Sequence, residues 1–235
     1  MLESYTENRT RELFDKIARD YDRMNRIISF RMHGIWRRNT MRNMRLPKGA
    51  RVLDLCCGTG DWTLDLADAV GEGGHVTGLD FSQNMLAIAH GKVARSGKKN
   101  ITLIHGDAMA LPFPDATFEC VTIGYGLRNT PDYLAVLKEM CRVLKPGGQA
   151  ACLETSHPSM PVYRELFSFY FRKVMPLLGK LFAKSYDEYR WLEKSAHSFP
   201  GAKTIKNLFE QAGFTDVRFR YHGGGAVASH YARKP

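Results

Sequence analysis

Nowhere in these 235 residues is there an apolar run of about 18, the length a helix needs to cross a bilayer, so no transmembrane helix is expected. The opening stretch, MLESYTENRTRELFDKIARDYDRM, is polar and amphipathic and lacks the short apolar core of a secretory leader. Cysteine is scarce and odd in number: Cys56, Cys57, Cys120, Cys141 and Cys152. Cys120 and Cys152 fall in predicted core strands, and the adjacent pair Cys56-Cys57 lacks zinc-knuckle spacing. Free thiols acting as small buried hydrophobes, in a reducing cytoplasmic compartment, are therefore expected. His, Cys, Asp and Glu nowhere group at metal-ligand spacing, so no metal is assigned, and His33 and His105 read as structural or incidental. There is no internal repeat, no low-complexity tract and no run of roughly five or six basic residues, although the net charge is +10. A surplus spread in this way suits a solvated basic surface, RNA or an anionic membrane equally. What remains is ordinary globular composition, 44% apolar and 25% charged, on a chain long enough for one domain with a full core.

What is present centres on RVLDLCCGTGDW, residues 51–62, and HVTGLDFSQNM, residues 75–85. Val52, Leu53 and Leu55 make a short buried strand that Gly58 and Gly60 end. Glycine at both positions lets the backbone turn sharply and approach a ligand with no Cβ between them. A second strand, His75 to Leu79, ends in Asp80, twenty residues after Gly60. In a βαβ unit an acid at that distance can accept both hydroxyls of a ribose, so a nucleoside-containing cofactor is expected.

The residues after the turn narrow the choice. A dinucleotide fingerprint needs a third glycine, and here Gly58-Thr59-Gly60 runs into Asp61, Trp62 and Thr63. An acid at Asp61 disfavours a diphosphate at the helix start and tolerates a cation. S-adenosylmethionine has no phosphate and carries a positive sulfonium and amine. DLCCGTGD resembles motif I of the class I S-adenosylmethionine-dependent methyltransferases, and LDFS resembles their motif II.

Elsewhere the pattern alternates. Helices are predicted over 8–20 and 34–43, from Asp61 to about Val70, from the Ser82 cap to about Arg95, from Asp132 to about Leu144, and over 205–212. Strands are predicted over 75–80, 101–105, 118–124, 149–154, 215–221 and about 226–232, with Lys145-Pro146-Gly147-Gly148 as a stop before the fifth. With the strand ending at Leu55 this is an α/β fold: a mostly parallel seven-stranded sheet with helices on both faces. Asp54, the Gly58–Gly60 turn, Asp80, Asp107 and Gly124 all fall at strand carboxyl ends, where such sheets bind ligands. Residues 160–192 interrupt the alternation with an aromatic helical stretch that Pro176 and Gly179 should kink. Its apolar residues, among them Tyr163, Phe167, Tyr170, Phe171, Met175, Leu178 and Phe182, cover more than one face. They read either as core or as a lid for a large apolar substrate.

Longer strings carry a sharper resemblance. YDRMNRIISFRMHGIWRR, HGDAMALPFPDATFE, IGYGLRNTPDYLAVLKEMCRVLKPGG and FAKSYDEYRWLEKSAHSFPG resemble the quinone-biosynthesis C-methyltransferases over nearly the whole chain. The stretch 152–186 looks most like the branch that acts on demethylmenaquinol, with ubiquinone-pathway intermediates as the alternative acceptor. The tail GGGAVASHYARKP departs slightly from that pattern. The resemblance implies one Rossmann-like methyltransferase domain over 1–235, with a helical cap over 1–46 and a lid insertion over 156–200. It implies S-adenosylmethionine held by Asp54, Gly58, Thr59, Gly60, Asp80, Phe81, Asp107, Ala108 and Gly124. Asp80 takes the ribose, and Asp107-Ala108 the adenine.

The resemblance also implies methyl transfer to a ring carbon of a hydroquinone. A phenol has a pKa of ~10, so the reaction needs a base or a stabilised phenolate. Asp61 is the candidate base, acting through a water, or else simply an acid placed on a helix dipole. Arg128 can stabilise the phenolate and Asn129 can hold its hydroxyl. Tyr21 can reach the substrate from the cap, or be a plain core tyrosine. The acceptor's isoprenoid tail implies peripheral contact with the inner face of the cell membrane. Arg31, Arg37, Arg38, Arg172, Lys173, Lys180 and Lys184 would face the lipid. A second copy of the chain is a further candidate partner. Two rival readings stay open. A nucleic-acid base methyltransferase would suit the charge, but such enzymes usually place N/D-P-P-Y/F after the fourth strand, where this chain has GYGLRN, and no RNA-binding module is appended. A non-catalytic cofactor-binding scaffold would not need Asp61 or Arg128.

Overall fold

A computed structural model of the chain describes residues 7–158 and 186–235, with the isolated positions 165, 169 and 174 between them. The first strand, β1 (Arg51–Leu55), is buried from Val52 to Leu55 because it lies in mid-sheet. It pairs in parallel with β2 (His75–Asp80) on one side and β4 (Phe118–Gly124) on the other. Beyond β2 lies β3 (Ile101–His105), and beyond β4 lies β5 (Leu144–Thr155), both parallel. Two antiparallel strands, β6 (Thr215–His222) and β7 (Val227–Arg233), close the far edge in the order β3-β2-β1-β4-β5-β7-β6. The order reverses between β1 and β4, which opens a crevice at their carboxyl ends.

Seven helices are described. The connecting ones are α3 (Asp61–Val70), α4 (Gln83–Ser96), α5 (Tyr133–Val143), α6 (Tyr186–Ser198) and α7 (Ala202–Gln211). The expected caps form: Ser82 Oγ accepts from Met85 N at 3.1 Å, and Asp132 Oδ1 from Ala135 N at 3.0 Å. One face of the sheet packs Leu53, Val121 and Ile123 against Val136, Met140, Ile205 and Phe209. The other packs Val52, Cys120 and Leu153 against Leu66, Val70 and Met44. All five cysteines are free.

Two elements differ from the sequence reading. β5 starts at Leu144, before the expected stop, because Leu144 already pairs with Phe118 and a bulge absorbs the Pro146–Gly148 turn. The cap helices α1 (Glu7–Ile28) and α2 (Met32–Met44) are longer than expected and meet at a turn where Phe30 and Arg31 take φ of 49° and 63°. Helix α1 buries Leu13, Phe14, Ile17 and Met24 in a small core of its own with Met85 of α4 and Trp191 and Leu192 of α6. The lid expected over 156–200 lies outside the described residues except for its two ends, as do Tyr163, Phe167, Tyr170, Phe171, Arg172, Lys173, Met175, Leu178, Lys180, Phe182 and Lys184.

Candidate active site

Two cavities open at the carboxyl ends of the central strands. The smaller is lined by Gly58, Asp80, Phe81, Gly106, Asp107 and Ala108 below and by Thr10, Phe14 and Tyr21 of α1 above. The larger encloses about 560 Å³, with Ile28, Met32, Trp36, Trp62, Leu153, Leu192 and Val227 among its apolar lining. Tyr21, Cys56, Gly58, Gly124 and Tyr125 line both, so the two spaces share one wall.

The smaller cavity is built from backbone and two acids, Asp80 buried and Asp107 half-buried. Gly60 opens α3 at φ 82°, which an L side chain rarely adopts. A Cβ added at Gly58 would meet nothing within 4 Å and would project into the cavity. Asp80 is fixed at both oxygens, accepting from Gly58 N at 2.8 Å and Ser82 N at 2.9 Å. Burial lifts its carboxyl to about 6 against those two N–H groups. Asp107 Oδ1 accepts from Met109 N at 2.8 Å. Phe81 meets Phe14 edge-to-face, tying α1 to the cavity floor. A paired-hydroxyl acceptor, a glycine cradle and an apolar slot with an acid at its edge fit a nucleoside.

The remaining residues expected at the cofactor are placed differently. Asp54 and Thr59 line the larger cavity, and Gly60 lines neither, serving the turn. Asp54 accepts from Thr63 Oγ1 at 2.7 Å and Thr122 Oγ1 at 2.8 Å, and burial lifts it to about 6. Gly124 is at the shared wall because a Cβ there would fall 2.5 Å from the Trp62 ring.

The larger cavity has a polar end formed by Tyr21, Asn25, Asp61 and Arg128. Lys92, which no local sequence pattern marks, ties Asp61 to Asp22 and Thr59. Its Nζ lies 2.5 Å from Asp61 Oδ1, 2.5 Å from Asp22 Oδ2 and 3.0 Å from Thr59 Oγ1. Arg37 approaches Asp61 at 3.9 Å. Partial burial raises the Asp61 carboxyl, but Lys92 and then Arg37 outweigh it, and the net position is below the ordinary 3.8.

Arg128 is 8% exposed and ion-paired through Nη1 with Glu154, which is fully buried on β5. Burial opposes its charge, yet Glu154 more than restores it, so the guanidinium stays protonated. Burial also raises the Tyr21 phenol, with Arg128 pulling it back. Asn129 turns to the smaller cavity, its amide nitrogen donating to Tyr125 O at 3.2 Å. Trp62 Nε1, Tyr125 Oη, Arg128 Nε and Asn129 Oδ1 are buried with no partner among the described residues. Four such atoms around one wall are what a bound polar ligand would satisfy.

A demethylmenaquinone methyltransferase of Lactococcus lactis subsp. lactis is 59% identical over 228 residues, 97% of this chain and 90% of that protein. Another, from Anoxybacillus flavithermus, is 53% identical over 234 residues, covering 100% of this chain and 99% of that one. Among solved structures, a SAM dependent methyltransferase from Aquifex aeolicus shares the fold with a TM-score of 0.63 at 21% identity, over 85% of this chain and 89% of that one. The family model described as the ubiE/COQ5 methyltransferase family matches residues 2–234, and the chain belongs to that family.

Proposed function

We propose that this protein transfers the methyl group of S-adenosylmethionine to a ring carbon of demethylmenaquinol, giving menaquinol. The observation that carries the reading is the shared wall: a nucleoside-shaped cavity meets a large apolar cavity where the latter turns polar. The names of the relatives support the choice of acceptor.

Bound S-adenosylmethionine supplies an electrophilic methyl on a sulfonium. The chain holds the cofactor with Asp80 toward the ribose and Asp107-Ala108 toward the adenine. Phe81, Gly58 and Gly124 complete the slot. Asp54 and Asp61 set negative charge near a cationic methionyl group, with Thr59 and Gly60 shaping the turn between them. Arg128, protonated and fixed by Glu154, stabilises the phenolate. Tyr21 positions the ring, while Asn129 lies on the cofactor side of the wall. Asp61 acts through water; with Lys92 on its carboxylate it orients that water and favours positive charge beside it.

The cap and α6 enclose the acceptor, whose tail leaves past Phe30, Met32 and Ile35. These three are 74%, 37% and 42% exposed at the α1–α2 turn. Arg23, Arg26, Arg31 and Arg38, carried by the same two helices and the turn between them, are also exposed, which suits an anionic bilayer surface. No described helix is long and apolar enough to cross a membrane.

Purified protein, anaerobically reduced short-chain demethylmenaquinol and methyl-labelled S-adenosylmethionine should yield labelled menaquinol by mass spectrometry. Label appearing in total RNA and not in quinol would refute the reading.

A further inference from the structure

We propose that His33 is the proton acceptor for the quinol hydroxyl and that Ser29 fixes its tautomer. The inference rests on the quinol reading above and adds a base that reading lacks. Both residues line the acceptor cavity, on either side of the α1–α2 turn. Ser29 Oγ lies 2.5 Å from Asn25 O, a carbonyl that can only accept, so the single hydroxyl hydrogen is committed there. The same Oγ lies 2.6 Å from His33 Nδ1. With its hydrogen already used, Ser29 can only accept across that contact, and Nδ1 must carry the proton. A neutral imidazole protonated at Nδ1 has its lone pair on Nε2. The serine thus sets His33 up as a base.

The charges around it keep that base neutral until it is needed. Arg37 faces it from α2, Asp61 from α3, and Arg26 and Asp22 from α1. Burial lowers its pKa below 6.5, Arg37 lowers it further, and Asp61 pulls the other way. Asp61 itself is tied to Lys92 and is the weaker base. Its ionised carboxylate instead favours the imidazolium once that forms.

The step balances. The quinol O–H proton passes to His33 Nε2, and the resulting phenolate directs its electron pair through a ring carbon. That carbon bonds to the methyl carbon while the carbon–sulfur bond breaks and its pair stays on sulfur, leaving a neutral thioether. The ring carbon then loses its hydrogen as a proton and the oxygen regains one. One proton reaches solvent per methyl transferred.

The test measures kcat with both substrates saturating, over about pH 5 to 9, for wild type, His33→Asn, His33→Gln and Ser29→Ala. His33→Asn keeps a donor near Ser29 and removes Nε2; His33→Gln is the second variant should the first fail to bind cofactor. Wild type should lose turnover on the acid side. Either His33 variant should fall ~10²–10⁴-fold and lose that acid limb, with calorimetric cofactor affinity unchanged. Ser29→Ala should keep the limb at reduced turnover, the mark of a positioning residue. A His33 variant with wild-type turnover and pH profile overturns this inference alone. A wild-type protein that methylates no quinol overturns the quinol reading and this inference with it.

Discussion

The two cavities solve opposite problems. In the cofactor cavity the acid facing the ribose is engaged before any ligand arrives: Asp80 already takes the Gly58 and Ser82 N–H groups. Around the acceptor cavity Trp62 Nε1, Tyr125 Oη and Arg128 Nε are buried without a partner among the described residues. One site is pre-organised by backbone, and the other keeps donors in reserve. The difference tracks construction. The first sets strand ends and one glycine turn beneath α1, while the second also draws on α2, α6 and the β6–β7 connection. Variants on the two sides should therefore separate cofactor affinity from turnover.

The largest effect is expected at Arg128. Arg128→Ala removes the cation facing the phenolate and leaves Glu154 buried and unpaired. Turnover should fall ~10²–10³-fold, and unfolding free energy should drop by about 3–5 kcal/mol in a denaturant titration. Adding Glu154→Ala should recover much of the stability and none of the turnover. Recovery of both would blur the comparison, because the pair would then be structural only.

On the other side, Asp80→Ala should weaken cofactor binding by about tenfold to a hundredfold, or ~1.5–3 kcal/mol, by calorimetry. Acceptor KM and kcat at saturating cofactor should change little. Equal damage to both substrates would mean that the wall does not divide them.

A pH experiment sharpens the same contrast. Burial places Asp54 at about 6, above the 3.8 of an exposed Asp. Between those values the folded chain binds a proton that the unfolded chain has released. Asp54 therefore costs nothing below pH 3.8 and destabilises increasingly as pH rises through about 6. Asp54→Asn, whose two neighbours are rotatable Thr hydroxyls, should raise stability at pH 7 by about 1–3 kcal/mol, and the gain should vanish near pH 4. A gain independent of pH would assign it to packing.

The smallest effect belongs to the rim. Phe30→Ser should lower binding to anionic vesicles by roughly tenfold and leave methylation of a tail-free acceptor intact. Equal binding by both proteins would remove the α1–α2 turn from any membrane contact.

What could be read from sequence follows the same division. The Asp80 position depends on local spacing: a strand, a glycine turn and a second strand fix it within about thirty residues. Asp54 was legible as a strand-end acid, though not that two threonines hold it away from the smaller cavity. Glu154, Lys92 and Arg37 matter because of partners 26, 31 and 28 residues away, and no local pattern marks such pairs. His33 looked incidental because its meaning lies in a hydrogen-bond direction, set by Asn25 O through Ser29 across a turn between two helices. The β5 start was missed because Lys145-Pro146-Gly147-Gly148 is a genuine turn signal, overridden by pairing with Phe118.

The most direct test is a crystal structure with S-adenosylhomocysteine, the demethylated product of the cofactor. The nucleoside should occupy the smaller cavity with its ribose on Asp80, and the sulfur should sit at the wall of Tyr21, Cys56, Gly58, Gly124 and Tyr125, facing the acceptor cavity. A ligand seated in the larger cavity, or a sulfur turned away from that wall, would contradict this placement.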